Sequence, residues 1–296
     1  MRKNKQPEMT GMIFPMEYNK PYIRVVHALF MAVSIILSLV CILPVLWIFL
    51  SAFKDTKEFL QIPPSFLPKK IDFGKIMAVW SKYRFGRTFV NTIVMSAGDI
   101  VFTIAINGLA GYVLSRLKPR GSHLIFMVVM WTMLLPSNVS QVPLFMTFTD
   151  FPLTHWNLSN TYWPMWLCAG ANCYYVLLFK SFFDSLSISF FESAKLDGCT
   201  NLQMFYKIVI PLSIPVMAVI TIFQFNGAWG NFFWPLLLLT KPQTSVIGQK
   251  IYSMKGGTTI DQYTVAMLIV IVPPSVIYLI FQKQIIGGLT IGGVKG

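Results

Sequence analysis

Six runs of mainly apolar residues limit what this chain can fold into. A membrane-crossing α-helix needs about 20 consecutive apolar residues, and every run reaches that length. The runs cover residues 26–53, 89–114, 124–148, 163–182, 212–239 and 264–286. Of the 296 residues, 55% are hydrophobic and only 12% are charged, which is unusual for a soluble domain. The sequence therefore predicts an all-α membrane protein with six transmembrane helices.

The charged residues between the runs indicate how the chain is oriented. Short cytoplasmic loops of membrane proteins are rich in Lys and Arg. Arg116, Lys118 and Arg120 lie between the second and third runs, whereas no Lys or Arg lies between the third and fourth. We therefore expect both termini to be cytoplasmic, with tails at residues 1–25 and 287–296, a transmembrane domain at 26–286, and external loops at 54–87 and 241–263. No small-residue cleavage site follows a short apolar core, so the first tail is expected to be retained.

A polar segment, residues 183–211, separates the fourth and fifth runs and predicts two short helices. Ser189 and Glu192 have the spacing of a capping box, in which the hydroxyl and the carboxylate satisfy free backbone N–H groups at a helix start. Gly198 follows where a helix ends on a left-handed residue, a conformation that glycine adopts without a Cβ clash. We expect this segment to form a pair of short helices at the cytoplasmic surface.

The second helix of the polar segment is predicted to be amphipathic. Thr200 and Gln203 form a further capping-box pair, and Pro211 separates the helix from the fifth run. The expected apolar face repeats at positions i, i+3, i+4 and i+7, which are Leu202, Phe205, Tyr206 and Val209.

The reactive residues elsewhere in the chain form no recognisable site. Its four cysteines lack metal-ligand or disulfide spacing, and its three histidines are isolated. No phosphate-binding G-x-x-x-x-G-K-[ST] loop and no hydrolase motif occurs. The net charge of +13 is spread among apolar runs, which favours a membrane over a nucleic-acid partner. We therefore expect no enzymatic activity, metal or bound cofactor in this chain.

The polar segment resembles the EAA loop found in membrane subunits of binding-protein-dependent ABC importers. The resemblance rests on Glu192, Ala194, Asp197 and Gly198, with Ile208 and Pro211 at the family's spacing beyond the glycine. Ser193 stands where the family usually has a second alanine, a change between small residues. Weaker matches indicate the carbohydrate branch, and the ending is similar to the maltose-transporter membrane subunit that lacks the large external domain. These matches are Asn91-Thr92, Ala110 to Tyr112, Met133, Pro136, Pro143, Trp229, Asn231, Pro235 and the glycine-rich residues 287–296.

The resemblance implies a set of partners and contact residues. It implies a second, related permease chain, two ATPase subunits that bind ATP and Mg, and an extracellular solute-binding protein that delivers a di- or oligosaccharide. The complex would lie in the cytoplasmic membrane of a bacterium or archaeon. The residues that would couple to the ATPase are Glu192, Ala194, Lys195, Asp197 and Gly198. Those that would contact the binding protein are Met254, Lys255, Gly256 and Gly257.

A hydroxyl-rich solute needs polar groups along its path, because its hydrogen bonds with water are lost in hydrocarbon. Two glycines in the fifth run, Gly227 and Gly230, favour an opened or closely packed helix there. Asn and Gln side chains inside apolar helices can also hold helices to one another. This is the competing interpretation for each amide among the candidate residues. The candidate pathway residues are Asn107, Gln224, Asn226, Trp229, Asn231 and Phe233, with Gln141 and Asn172 as further amides.

Asp99 is the one carboxylate clearly inside an apolar run, and an ionisable group there suggests a function. The family usually has a small residue at this position, so no role carries over to it. Pairing with a partner subunit or water is an alternative. A secondary ion-coupled carrier also remains as a different class of function, and a polyamine or phosphorylated polyol as a different substrate for an ABC importer.

Overall fold

The computed structural model describes residues 21–63, 65–152 and 154–291. Within these residues the regular structure is helical, and the one β-type contact is an isolated bridge between Phe151 and Trp156. The predicted all-α class is therefore confirmed. The chain divides into two compact units, residues 1–71 and 72–296.

The first unit contains the first apolar run. Helix α1 covers Pro21–Ser51 and continues through Pro44, so it begins before the predicted boundary at residue 26. The rest of that tail, residues 1–20, lies outside the described residues. After α1, the buried Lys54 donates a hydrogen bond to the Ser65 carbonyl (2.5 Å), and its ammonium lies 4.0 Å from the Trp47 ring centre. A short helix, α2, covers Thr56–Phe59.

The second unit is built around one long helix. Helix α3 covers Phe73–Lys82, and α4 covers Phe85–Leu117 after Arg84, which is left-handed (φ 53°). The helix α4 contains two π-helical turns, Thr103–Asn107 and Val113–Leu117. It packs against three later helices, which cover Trp163–Gly170, Cys173–Ser185 and Ile214–Gly230.

The third and fourth runs are not single helices, which corrects the sequence prediction. In the third run, α5 (Ser122–Thr132) and α6 (Gln141–Thr149) flank an irregular segment that contains Pro136, whose ring supplies no backbone N–H for a continuing helix. In the fourth run, α7 (Trp163–Gly170) ends before α8 (Cys173–Ser185). The extended residue Asn172 separates them, and its side chain caps α8 by accepting hydrogen bonds from the next turn.

The polar segment and the fifth run form a bent helix pair. Helix α9 covers Ile188–Leu196 and α10 covers Asn201–Leu212. Helix α11 covers Ile214–Gly230 at 74° to α10. The bend falls at Ser213, between the two prolines of this segment, and α12 (Phe233–Leu238) completes the run after a break at Asn231.

Two helices complete the chain. Helix α13 covers Ile247–Met254, inside the predicted external loop, and α14 covers Ile260–Ile291. The final helix extends to residue 291, past the predicted boundary at residue 286. Residues 292–296 lie outside the described residues. In the described part of the chain, α1, α4 and α14 are long and apolar enough to cross a membrane, and α10 with α11 makes a fourth span if the bent pair is counted as one. The number six and the orientation remain predictions.

Candidate functional site

The polar hairpin, residues 187–212, is the first candidate site, and its helix starts are set by local hydrogen bonds. The predicted capping box of Ser189 and Glu192 is wrong. Ser187 is the N-cap of α9, and its hydroxyl accepts a hydrogen bond from the Ser189 N–H (3.4 Å). The chain is extended at Leu186 and Ser187, which puts the helix start two residues earlier than predicted.

Gly198 ends α9 in the manner predicted from the sequence. Its φ is +75°, and nothing lies within 4 Å of where a Cβ would stand. The Gly198 N–H donates to the Lys195 carbonyl (3.0 Å), and the Cys199 N–H donates to the Ala194 carbonyl (2.9 Å). These two bonds form a Schellman motif, which satisfies carbonyls at the helix end.

The capping box that starts α10 is confirmed, but the predicted apolar face is wrong in part. The Thr200 N–H donates to Gln203 Oε1 (2.8 Å), and the Gln203 N–H donates to Thr200 Oγ1 (3.3 Å). Residues 205–209 form a π-helical turn, whose longer repeat brings positions five apart onto one face. The buried face therefore contains Met204, Phe205 and Val209, whereas Leu202 and Tyr206 are exposed.

Helix α4 anchors the polar hairpin from behind. The Tyr112 hydroxyl donates to the Asn201 carbonyl (3.2 Å), and the Tyr112 ring lies 5.0 Å from the Phe205 ring. Arg116 donates to the carbonyls of Phe183 and Leu186, the second at 2.6 Å. Its guanidinium carbon lies 4.4 Å from the centre of the Phe191 ring. One residue near the C-terminal end of α4 thus joins the end of α8 to helix α9.

An ion pair lies beside this anchor. Asp184 accepts hydrogen bonds from the Ser115 hydroxyl and from the Lys180 ammonium, each at 2.6 Å. Burial raises the pKa of the Asp184 carboxyl, but these two bonds and the positive charges of Lys180 and Lys118 outweigh it. The pKa of Asp184 therefore lies below its ordinary value.

The opposite face of the hairpin is open. Of the five predicted coupling residues, Glu192, Lys195, Asp197 and Gly198 are exposed, and Ala194 packs inward at 5% exposure. Apolar side chains share this open face, with Leu196 the most exposed at 90%. The hairpin therefore presents charges of both signs and exposed apolar side chains on a capped support.

The inner cavity is a second candidate site and has a volume of about 190 Å³. It brings Gln224 and Asn231, two predicted pathway residues, together with Asp99 and Asn172. Phe233 is half-buried beside the cavity residue Trp234, and Asn226 is exposed on α11. The complete lining comprises Asp99, Pro164, Met165, Cys168, Ala169, Asn172, Gln224, Gly227, Ala228, Asn231 and Trp234.

Two predicted pathway residues are instead part of the helix packing. Asn107 is buried, donates to the Ala169 carbonyl (2.9 Å) and accepts from the Asn172 N–H (3.1 Å). Trp229 is 3% exposed, and its indole N–H donates to the Val270 carbonyl (3.1 Å). Phe225 stacks on the Trp229 ring and Phe89 contacts it edge-on, each at 5.3 Å, so neither ring face is open to a sugar.

The segment around α13 is the third candidate site. Of the four predicted contact residues, Lys255, Gly256 and Gly257 are exposed, whereas Met254 is buried at 3% exposure. Asn91 and Thr92 of α4 hold this segment through three hydrogen bonds of 2.8 Å. The Asn91 amide donates to the carbonyls of Gln243 and Ser245, and the Thr92 hydroxyl accepts from the Ile247 N–H.

An outer cavity of about 340 Å³ lies beside this segment and is basic. Arg84, Arg87, Lys241 and Lys250 line it, and its lining contains no carboxylate. The basic lining was not predicted, because residues 84–87 and 241–250 are far apart in sequence.

Comparison with known proteins identifies the family. Residues 107–289 match the family described as binding-protein-dependent transport system inner membrane component. The chain belongs to this family. The predicted resemblance is therefore confirmed, and the chain is an integral membrane permease subunit.

Individual relatives agree with this assignment along most of the chain. The diacetylchitobiose uptake system permease protein NgcG of Streptomyces coelicolor is 30% identical over 267 residues, covering 88% of this chain and 86% of that protein. The arabinooligosaccharides transport system permease protein AraQ of Bacillus subtilis is 29% identical over 265 residues, covering 88% and 92%. The fold is similar to that of a chain in the crystal structure of a bacterial ABC transporter involved in import of the acidic polysaccharide alginate. That match has a TM-score of 0.75 and 23% identity, and it covers 93% of this permease and 99% of the other chain.

Among residues 21–63, 65–152 and 154–291, no group of three or more His, Cys, Asp or Glu side chains is placed to hold a metal ion.

Proposed function

We propose that this permease is one half of the membrane pathway of an importer for a di- or oligosaccharide. A second, homologous permease supplies the other half, an extracellular binding protein delivers the sugar, and two ATPase subunits bind ATP and Mg²⁺ and drive the transport. The observation that carries the proposal is the polar hairpin, which is anchored on one face and open on the other. The saccharides named for the two relatives support the substrate class.

The hairpin is suited to transmit movement from an ATPase to the membrane helices. Its two caps and the Schellman motif make it rigid, and Arg116 and Tyr112 fix it to α4. Glu192, Lys195 and Asp197 offer charges of both signs to a docking cleft, and Leu196 offers an apolar contact. The whole element would lie on the cytoplasmic side, with both chain termini, in a permease of six spans in a bacterial or archaeal cell membrane.

Gly198→Val tests the coupling role. The β-branched side chain has room but is strained at a φ of +75°, so the end of α9 should change direction. We expect the assembled transporter to keep hydrolysing ATP while sugar uptake falls. Gly121→Val is the matched control, because Gly121 is also left-handed (φ +83°) with nothing within 4 Å, but it lies at the turn before α5. Normal uptake by the Gly198 variant would refute the role.

The pathway is proposed to include Gln224, Asn226, Asn231 and Phe233 and to face the second permease. One wall of polar groups does not enclose a route, so this chain alone should move no sugar. Reconstitution of the isolated chain in liposomes distinguishes the alternatives. Concentrative sugar uptake driven by a proton or sodium gradient, without ATP or partners, would establish a secondary carrier instead.

The segment around α13 is proposed to contact the binding protein. Lys255 to Gly257 are exposed beside the outer cavity, whose four cations suit an acidic surface. This electrostatic match would act mainly on the rate of docking, and it should weaken as the salt concentration rises.

A further inference from the structure

Three polar side chains without an internal partner meet at the inner cavity. Asp99 is only 3% exposed, and its buried Oδ1 atom has no hydrogen-bond partner among the described residues. Gln224 and Asn231 line the same cavity and make no side-chain hydrogen bond within the described part of the chain. Burial of an unpaired carboxylate is costly, so its retention here calls for a partner that enters the cavity.

The chemistry of the lining defines what that partner must offer. A carboxyl group accepts hydrogen bonds and, when protonated, also donates one, whereas a side-chain amide both donates and accepts. A sugar hydroxyl also does both, so it can donate to Asp99 and exchange hydrogen bonds with Gln224 and Asn231. Trp234, Met165 and Pro164 add apolar surface that suits the C–H face of a sugar ring.

The charge of the lining also excludes a class of ligand. No Lys, Arg or His is among the lining residues. A carboxylated or phosphorylated sugar would lose hydration in the cavity and find no cation there to offset that loss. The volume of about 190 Å³ is smaller than that of pockets for drug-sized ligands, which begin at roughly 300 Å³, so the cavity holds one ring at a time.

We infer that the inner cavity is a sugar subsite on this chain, which binds one uncharged ring through Asp99, Gln224 and Asn231 and disfavours acidic sugars. The inference rests on the proposed function. The part of α4 that contains Asp99 is held in position by Trp166 of α7. The Trp166 ring lies against Gly98, and its indole N–H donates to the Met95 carbonyl (3.0 Å). The binding groups are thus preorganised on packed helices.

Cys168 reports whether the cavity is occupied, because it belongs to the lining. In the assembled transporter, Cys41, Cys173 and Cys199 are replaced by Ser, and the rate at which N-ethylmaleimide labels Cys168 is measured. The probes are the neutral disaccharides N,N′-diacetylchitobiose and arabinobiose, and the acidic disaccharide digalacturonate. Gly227→Cys in a cysteine-free background provides a second reporter, since it lines the cavity and nothing lies within 4 Å of its added Cβ.

We expect a neutral disaccharide to slow labelling and digalacturonate to leave it unchanged. Asp99→Asn should raise the neutral sugar concentration needed for half protection by about fivefold, the effect of losing one ordinary hydrogen bond. Asp150→Asn is the matched control, since Asp150 is exposed and pairs with His155 away from the cavity.

The outcomes separate this inference from the proposed function. Import of a neutral disaccharide without protection of either reporter would overturn the subsite while leaving the importer intact. No import of any sugar by the complete transporter would overturn the function itself. Loss of the second permease from purified Asp99→Asn complexes, with protection unchanged, would make Asp99 a subunit-pairing residue and overturn the subsite.

Discussion

Arg116→Ala should loosen the polar hairpin from the membrane helices. Arg116 donates to two carbonyls at the end of α8, and the Phe183 carbonyl also accepts a hydrogen bond from the Leu186 N–H (3.2 Å). Its guanidinium also lies over the Phe191 ring of α9. Removing the side chain therefore breaks three contacts between three helices at once.

The size of the effect follows from these contacts. A hydrogen bond from a charged donor contributes about 1.5–3 kcal/mol, and a cation–π contact at an exposed site about 0.5–1 kcal/mol. Because Arg116 is partly exposed, the low end of each range applies to its two hydrogen bonds and one cation–π contact, giving a loss of about 3.5 kcal/mol in the free energy of unfolding. At about 2 °C per kcal/mol for a large domain, the midpoint of thermal unfolding should fall by about 7 °C.

The assay is thermal unfolding of the purified permease in lipid nanodiscs, followed by tryptophan fluorescence. Arg116→Lys keeps the charge but loses the planar fork that reaches both carbonyls, so its midpoint should fall between wild type and Arg116→Ala. Arg120→Ala is the control, because Arg120 is exposed in the next turn of the chain. Equal midpoints for Arg116→Ala and Arg120→Ala would refute the anchoring role.

Three further predictions concern other contacts. Gly248→Ala should destabilise the α13 segment and lower the yield of folded protein. Its Cβ would lie 2.3 Å from the Asn231 carbonyl oxygen, a backbone atom that no rotamer change can move. Gly256→Ala is the control, because nothing lies within 4 Å of the added Cβ. The pKa of Asp184 is lower in the folded state than the value of about 4 in the unfolded state. The ionised carboxylate therefore stabilises the fold above about pH 4, and this contribution is lost as the pH falls further. The melting temperatures of wild type and Asp184→Asn should converge in acid. Replacing Lys255, Gly256 and Gly257 together by Ser, while keeping the buried Met254, should leave the complex assembled but reduce its stimulation by the binding protein; undiminished stimulation would mean that the segment makes no functional contact.

The features that the sequence predicted well are local ones. The Gly198 helix end and the Thr200–Gln203 box need only residues within one turn, so their spacing was sufficient. The helix start at Ser187 was not predicted because Ser187 and Ser189 are both suitable N-cap residues. The extended backbone at Leu186 and Ser187 determines which of the two caps the helix. Hydropathy marked the apolar runs, but it did not place the breaks at Pro136 and Asn172.

The features that the sequence could not provide depend on distant residues. The π-helical turn in α10 changes which side chains face inward, and nothing in the spacing of Leu202 and Tyr206 signals it. Trp229 and Gln224 stand in the same polar cluster, yet one is covered by Phe225 and Phe89 and the other lines a cavity. The grouping of Asp99 with residues of α7 and α11 is a product of packing. A carboxylate inside an apolar run was the one available signal for it.

Helices α10 and α11 meet at Ser213 at an angle of 74° and form the short and the long arm of a bent helix pair. The bend is held by two hydrogen bonds, because the buried Ser213 hydroxyl and the Ser213 N–H both donate to the Val209 carbonyl, at 2.5 and 3.0 Å. With a rise of about 1.5 Å per residue, the hairpin arm is about 18 Å long and the other arm about 26 Å. A turn of about 10° about the bend would shift the tip of the short arm by about 3 Å and the Gly230 end of the long arm by about 4–5 Å. If the two helices turned as one rigid body, the larger displacement would fall at the Gly230 end, beside Asn231 at the edge of the inner cavity.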